Sequence, residues 1–141
     1  MIVGGYDEEQ GPQIFQIEAS GTFYCWKATA LGKGATEART FLEKTYTDDI
    51  DIGDAVHTAI KALKNTFEGE MTERNLEVAI IKDSDPSRAF KQCTQEEIRD
   101  LLREVEWLTL SERHYKLQRI YLWDDFYNQS NGRAVVYVYI L

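Results

Sequence analysis

An α+β fold is what this sequence predicts, on three observations. Three β-prone stretches separated by turn residues fill the first thirty positions, the third with side chains alternating between two faces. From Ala35 apolar residues recur at helical spacing, and a strand pattern then returns before a last helical stretch. The resulting order is strand, strand, strand, helix, helix, strand, strand, helix, which fits a sheet with helices layered on it. A length of 141 residues suits one domain.

Taken in order, Ile2 and Val3 are β-formers that open the first strand, and Tyr6 to Gly11 has turn chemistry. Pro12 to Ile17 is the second strand, closed by the turn Glu18-Ala19-Ser20-Gly21. A third strand is expected over Thr22 to Ala30, with Tyr24, Trp26, Ala28 and Ala30 on one face and Phe23, Cys25, Lys27 and Thr29 on the other. Gly32 and Gly34 break it. Ala35, Ala38, Leu42 and Thr45/Tyr46 form a helical stripe.

A clearer stripe follows in Ile52, Ala55, Val56, Ala59, Ile60, Leu63 and Phe67, with Asp51 as N-cap and Glu68-Gly69 as the stop. Leu76 to Ile81 is an apolar strand, Asp83 to Pro86 a turn, and Arg88 to Gln92 a short returning strand. Thr94 and Glu97 have capping-box spacing ahead of Ile98, Leu101, Leu102 and Val105 on one helix face.

The net charge of −8 argues against a broad basic surface for nucleic acid or anionic membrane. Residues 1–106 hold 12 basic and 21 acidic side chains, and residues 107–141 hold four and three. No apolar run reaches the ~18 residues that a membrane span needs. Two cysteines are too few for a disulfide framework, and no secretory signal pattern opens the chain. The expected compartment is cytoplasm and nucleus.

The stretch Gly11-Pro12-Gln13, Glu18-Ala19-Ser20-Gly21, Trp26-Lys27-Ala28-Thr29-Ala30-Leu31-Gly32-Lys33 and Phe41-Leu42-Glu43-Lys44 resembles the second half of the alpha subunits of the proteasome. The type-2 branch of that family is the nearest match, and the likeness continues through Asp54 to Ile60 and Glu68 to Glu73. Where the family usually has Asp-Pro-Ser-Gly, this chain has Glu18-Ala19-Ser20-Gly21. The resemblance implies part of a four-layer αββα sandwich of the N-terminal-nucleophile hydrolase type. It divides the chain into residues 1–106, the C-terminal part of the family's domain, and an unmatched tail, 107–141. It also implies an N-terminally truncated family member, without the gating tail and the regulator-docking pocket.

The activity implied is that of a non-catalytic scaffold in the alpha ring of the 20S core, which supports ubiquitin-dependent protein degradation. Ring neighbours, the beta subunits below and, for complete relatives, a regulatory particle are the implied partners. No catalytic, cofactor or metal residue is expected.

The chemical alternatives are a small hydrolase using Thr22 after cleavage at Gly21, or Cys25 with His57 or His114. A free-standing interaction fragment is the third class. Cys25 and Trp26 are read as core residues of the third strand, and His57 as a structural partner beside the helix stripe. With neither CxxC nor HxxxH spacing, zinc is not expected. Asp7-Glu8-Glu9 reads as a solvated turn. Asp48, Asp49, Asp51 and Asp54 read mostly as charge at a helix N-terminus.

In the tail, Arg119 to Tyr127 and Arg133 to Leu141 have the pattern of two strands around an Asn131-Gly132 turn, so a hairpin or a disordered tail is expected. Ala134 to Leu141 is uncharged, β-prone and free of proline. Such a segment either covers an open sheet edge or aggregates.

Overall fold

The computed structural model describes residues 1–82, 85–87, 89–115 and 134–140, with 110–115 and 134–140 described by backbone course alone. Six strands and three helices are present among these residues: β1 (Ile2–Asp7), β2 (Gly11–Ile17), β3 (Phe23–Trp26), α1 (Ala35–Thr45), α2 (Ile52–Lys64), β4 (Leu76–Lys82), β5 (Lys91–Gln92), α3 (Gln95–Tyr115) and β6 (Ala134–Ile140). The expected α+β class is what the element order shows.

The first sheet is an antiparallel meander, β1-β2-β3. Its first turn is set by Asp7, whose Oδ1 accepts from the N–H groups of Glu9 and Gln10, each at 2.9 Å. That is the Asx geometry that short acidic side chains favour in turns. β3 stops at Trp26, four residues short of the expected end. The register sets Trp26 opposite Ile14, so one more pair would reach Gln13 and the next would set Ala28 opposite Pro12. Proline has no N–H for a ladder, and the chain turns away. Thr29 then folds back across the sheet, its hydroxyl donating to Gln16 Oε1 at 2.9 Å.

α2 is the organising helix. Asp51 caps it, accepting from Gly53 N–H at 3.3 Å, and Val56 and Ile60 enter the main core with Leu76, Val78, Ile80, Ile98 and Val105. Thr58 and Ala62, off the expected stripe, are buried as well. The cause is position: α2 packs against α1, α3 and β6, which leaves little of its circumference to water. The helix ends at Lys64 and not near Phe67. Past Lys64 the Leu63 carbonyl accepts from the Thr66 N–H, the Thr66 hydroxyl and the Phe67 N–H, each at 3.0 Å, which tightens the chain into a closing turn.

The second sheet has the order β5-β4-β6, antiparallel throughout. Both residue sets of β4 are buried, Leu76, Val78 and Ile80 on one face and Ala79 and Ile81 on the other. A strand covered on both faces reads as a nearly continuous apolar run, and this one does. β5 pairs with β4 only through Lys91 and Gln92, and is shorter than the expected Arg88–Gln92 strand. β6 pairs with β4 along its whole length, from Leu76↔Ile140 to Lys82↔Ala134. The expected partner strand Arg119 to Tyr127, the Asn131-Gly132 turn, Asp83-Ser84 and Arg88 lie outside the described residues.

α3 starts on the capping box read from sequence. Thr94 N–H donates to Glu97 Oε2 at 2.8 Å, and Glu97 N–H returns to Thr94 Oγ1 at 3.3 Å. The helix runs on through residue 107 to Tyr115. Lys91 Nζ, 2.7 Å from Glu97 Oε1, and the Thr94 N–H together hold the Glu97 carboxyl below its ordinary value of 4.5. A depressed folded value means stability that is complete above the unfolded value and fades as pH falls through the folded one. We therefore expect the first turn of α3 to fray below pH 4.5. Amide exchange of Glu96 and Glu97 measured against pH checks this, and Glu97→Gln should flatten the profile.

Candidate assembly surface

The first sheet leaves an apolar surface exposed. Every residue of β3 is exposed, with Phe23 at 65%, Tyr24 at 55% and Trp26 at 40%. Alternation puts Phe23 and Cys25 on one face and Tyr24 and Trp26 on the other, so β3 is bare on both. Phe15 meets Phe23 edge-on, with ring centroids 6.2 Å apart and planes at 70°. Val3 and Leu31 add exposed apolar area from β1 and from the loop after β3.

The expected burial of Trp26 and Cys25 is thus corrected: both are exposed. Among the described residues, the first sheet meets the rest of the fold mainly where β2 approaches β6, and β3 lies beyond that contact.

Ion pairs frame this surface. Lys27, just past β3, pairs with Asp48 in the loop between α1 and α2, and the hydrogen bond to that carboxylate raises the lysine's pKa. Lys33 Nζ lies 3.6 Å from Glu68 Oε1. Both pairs are well exposed, so they orient loops and add little stability. Asp51 and Asp54 serve the start of α2, as read from sequence.

Among the described residues, Thr22 and Cys25 belong to the first sheet and its turn, and His57 to α2. Thr22 closes the turn before β3: its carbonyl accepts from Glu18 N–H at 2.8 Å, and its hydroxyl accepts from Ser20 Oγ at 3.0 Å. In the uncut chain its nitrogen is a peptide nitrogen, and only cleavage after Gly21 would free the amine that a threonine nucleophile uses as base. Cys25 stands in β3 opposite Phe15. His57 is held at the seam of α2 and α3, its Nε2 2.9 Å from Glu104 Oε2. Its Nδ1 is buried without a partner among the described residues, which suits a proton on Nε2 donated to the carboxylate.

The His114 side chain lies outside the described residues. Cys93 is half-buried, and desolvation followed by the nearby Glu97 charge pushes its thiol up, which makes it a poor nucleophile. Among the described residues, no group of three or more histidine, cysteine or acidic side chains could hold a metal, and no helix is long and apolar enough to cross a membrane.

A family profile described as "Proteasome subunit" matches residues 1–81. The chain belongs to the proteasome subunit family. Within it, the chain is 50% identical over 113 residues to a fission yeast (Schizosaccharomyces pombe) protein named "Probable proteasome subunit alpha type-2", covering 74% of this chain and 46% of that one. It is 46% identical over 106 residues to proteasome subunit alpha type-2-A of Arabidopsis thaliana, covering 75% and 43%. The rice alpha type-2 subunit (Oryza sativa subsp. indica) is 45% identical over 106 residues, with the same coverage. The chain spans less than half the length of these relatives.

Proposed function

We propose that the chain is a non-catalytic structural subunit of the alpha ring of the 20S proteasome core. The observation that carries this reading is the 50% identity to an alpha type-2 subunit, within a chain whose first 81 residues match the family profile. Threonine peptidase activity then belongs to the beta subunits, and this chain contributes packing surface. Its partners would be ring neighbours and the beta ring, in cytoplasm and nucleus. The exposed aromatic residues of β3 supply a surface of the kind that assembly buries. Two antiparallel sheets, with helices against the second, also suit one part of a four-layer αββα sandwich.

Co-sedimentation of the tagged full chain with 20S particles, followed by subunit mass spectrometry, tests the reading. The expected result is a stoichiometry comparable to the other alpha subunits, reduced by Phe23→Asp with Trp26→Asp. A soluble chain absent from the particle overturns it. The hydrolase alternative predicts a mass lacking residues 1–21 that Thr22→Ala restores to full length. The alpha-subunit reading predicts the intact chain for both.

A further inference from the structure

We infer that the outer edge of β4 is a strand-acceptor site, filled by the chain's own β6 and open to exchange with an incoming strand of the same chemistry: seven residues, uncharged, without proline, antiparallel to β4. The site is independent of the alpha-ring reading. Its need arises from β4 itself. Val78, Ala79, Ile80 and Ile81 are buried, so the backbone N–H and C=O groups between them cannot rely on water and require partners on both edges. On one edge β5 pairs with only Ala79 and Ile80. On the other, β6 pairs with all seven residues, Leu76 to Lys82.

The place β6 occupies is bounded by β4, α2 and β2, so an incoming strand meets a backbone ladder and apolar neighbours together. Addition of an extended segment to such an edge takes its affinity from main-chain hydrogen bonds and its selectivity from alternate side chains. Ala134-Val135-Val136-Tyr137-Val138-Tyr139-Ile140 shows what the edge accepts: no charge, no proline, no glycine.

Exchange is favoured by where β6 lies. It is the end strand of its sheet, so its departure breaks one ladder and leaves β4–β5 intact. It comes from far along the chain, with residues 83–133 between it and β4. Within that stretch α3 packs on the core through Ile98 and Val105, so β6 can leave β4 while the elements before it stay in place.

The test uses the full chain with Val136→Pro and Tyr137→Pro. Adjacent N–H groups of a strand point to opposite edges, so one of the two substitutions removes a donor facing β4. The probe is a fluorescein-labelled peptide of residues 133–141, read by anisotropy, with amide exchange followed over residues 76–82. In the variant, β4 amides should exchange at least ~tenfold faster, and added peptide should bind and restore protection. A helical variant that ignores the peptide, or that keeps wild-type β4 protection, overturns the site. Equal binding of a control peptide with lysine at alternate positions also overturns it.

Should the variant fail to fold, the wild-type chain decides. Millimolar peptide carrying a spin label at the position of Tyr137 should broaden the Ala79 amide resonance, since those positions are paired in the register. An unbroadened Ala79 resonance overturns the site.

Discussion

Gly34→Ala should lower the stability of the chain by about 2–4 kcal/mol, the sum of a left-handed backbone penalty and a steric overlap. Gly34 is the N-cap of α1 with φ of 78°. A Cβ placed there would lie 2.7 Å from Thr66 Cβ and 3.1 Å from Thr66 Cγ2. Thr66 cannot easily yield. The atom struck is its branch point and not the end of a flexible chain, and its N–H and hydroxyl are both tied to the Leu63 carbonyl. This close approach is where the start of α1 meets the end of α2.

The control is Gly21→Ala. Gly21 has φ of 85°, and a Cβ added there would meet nothing within 4 Å, so its cost isolates the backbone penalty of about 1–2 kcal/mol. Urea unfolding of the two variants compares them directly. Equal midpoints would mean that the contact between the two helices tolerates a methyl group.

Ile60→Ala should cost about 2–5 kcal/mol, and Ile60→Val about 0.5–1.5 kcal/mol. Ile60 is fully buried in a cluster that draws on α2, β4 and α3, so a cavity there is lined by three elements and collapses poorly. Phe23→Ala, which removes more apolar surface, should shift the isolated chain by no more than about 0.5 kcal/mol, because Phe23 is already in water. Thermal unfolding of the three variants checks the ranking. A Phe23→Ala loss as large as that of Ile60→Ala would show that β3 is packed in solution.

Local signals in the sequence are legible where one residue type has one dominant use. Asp51 at the start of α2, the Thr94–Glu97 reciprocal cap and the apolar run of β4 all stand where their chemistry places them. The extent of β3 is not legible, because it depends on Pro12, eleven residues before β3 begins and set to face position 28 only once the register is known. Burial of Thr58 and Ala62 escapes helical periodicity for a related reason. One stripe describes one contact face, and α2 packs against α1, α3 and β6 while Val56 and Ile60 also reach the core residues of β4.

The exposure of Cys25 and Trp26 reverses the expectation. Composition speaks for an aromatic strand's tendency to be covered, and not for whether this stretch of chain supplies the cover. For the candidate surface, the family likeness is legible in Gly11 to Lys44. The bare aromatic strand within that stretch emerges only from the packing.

The β4–β6 ladder also has a consequence in time. A ribosome delivers Lys82 before Ala134, and at ~5–20 residues per second the intervening 51 residues take about 3–10 s to make. Throughout that interval the nascent chain carries an apolar strand with one long edge unclaimed. Slowing translation across residues 83–133 should therefore increase capture of the nascent chain by chaperones, and hastening it should reduce that capture.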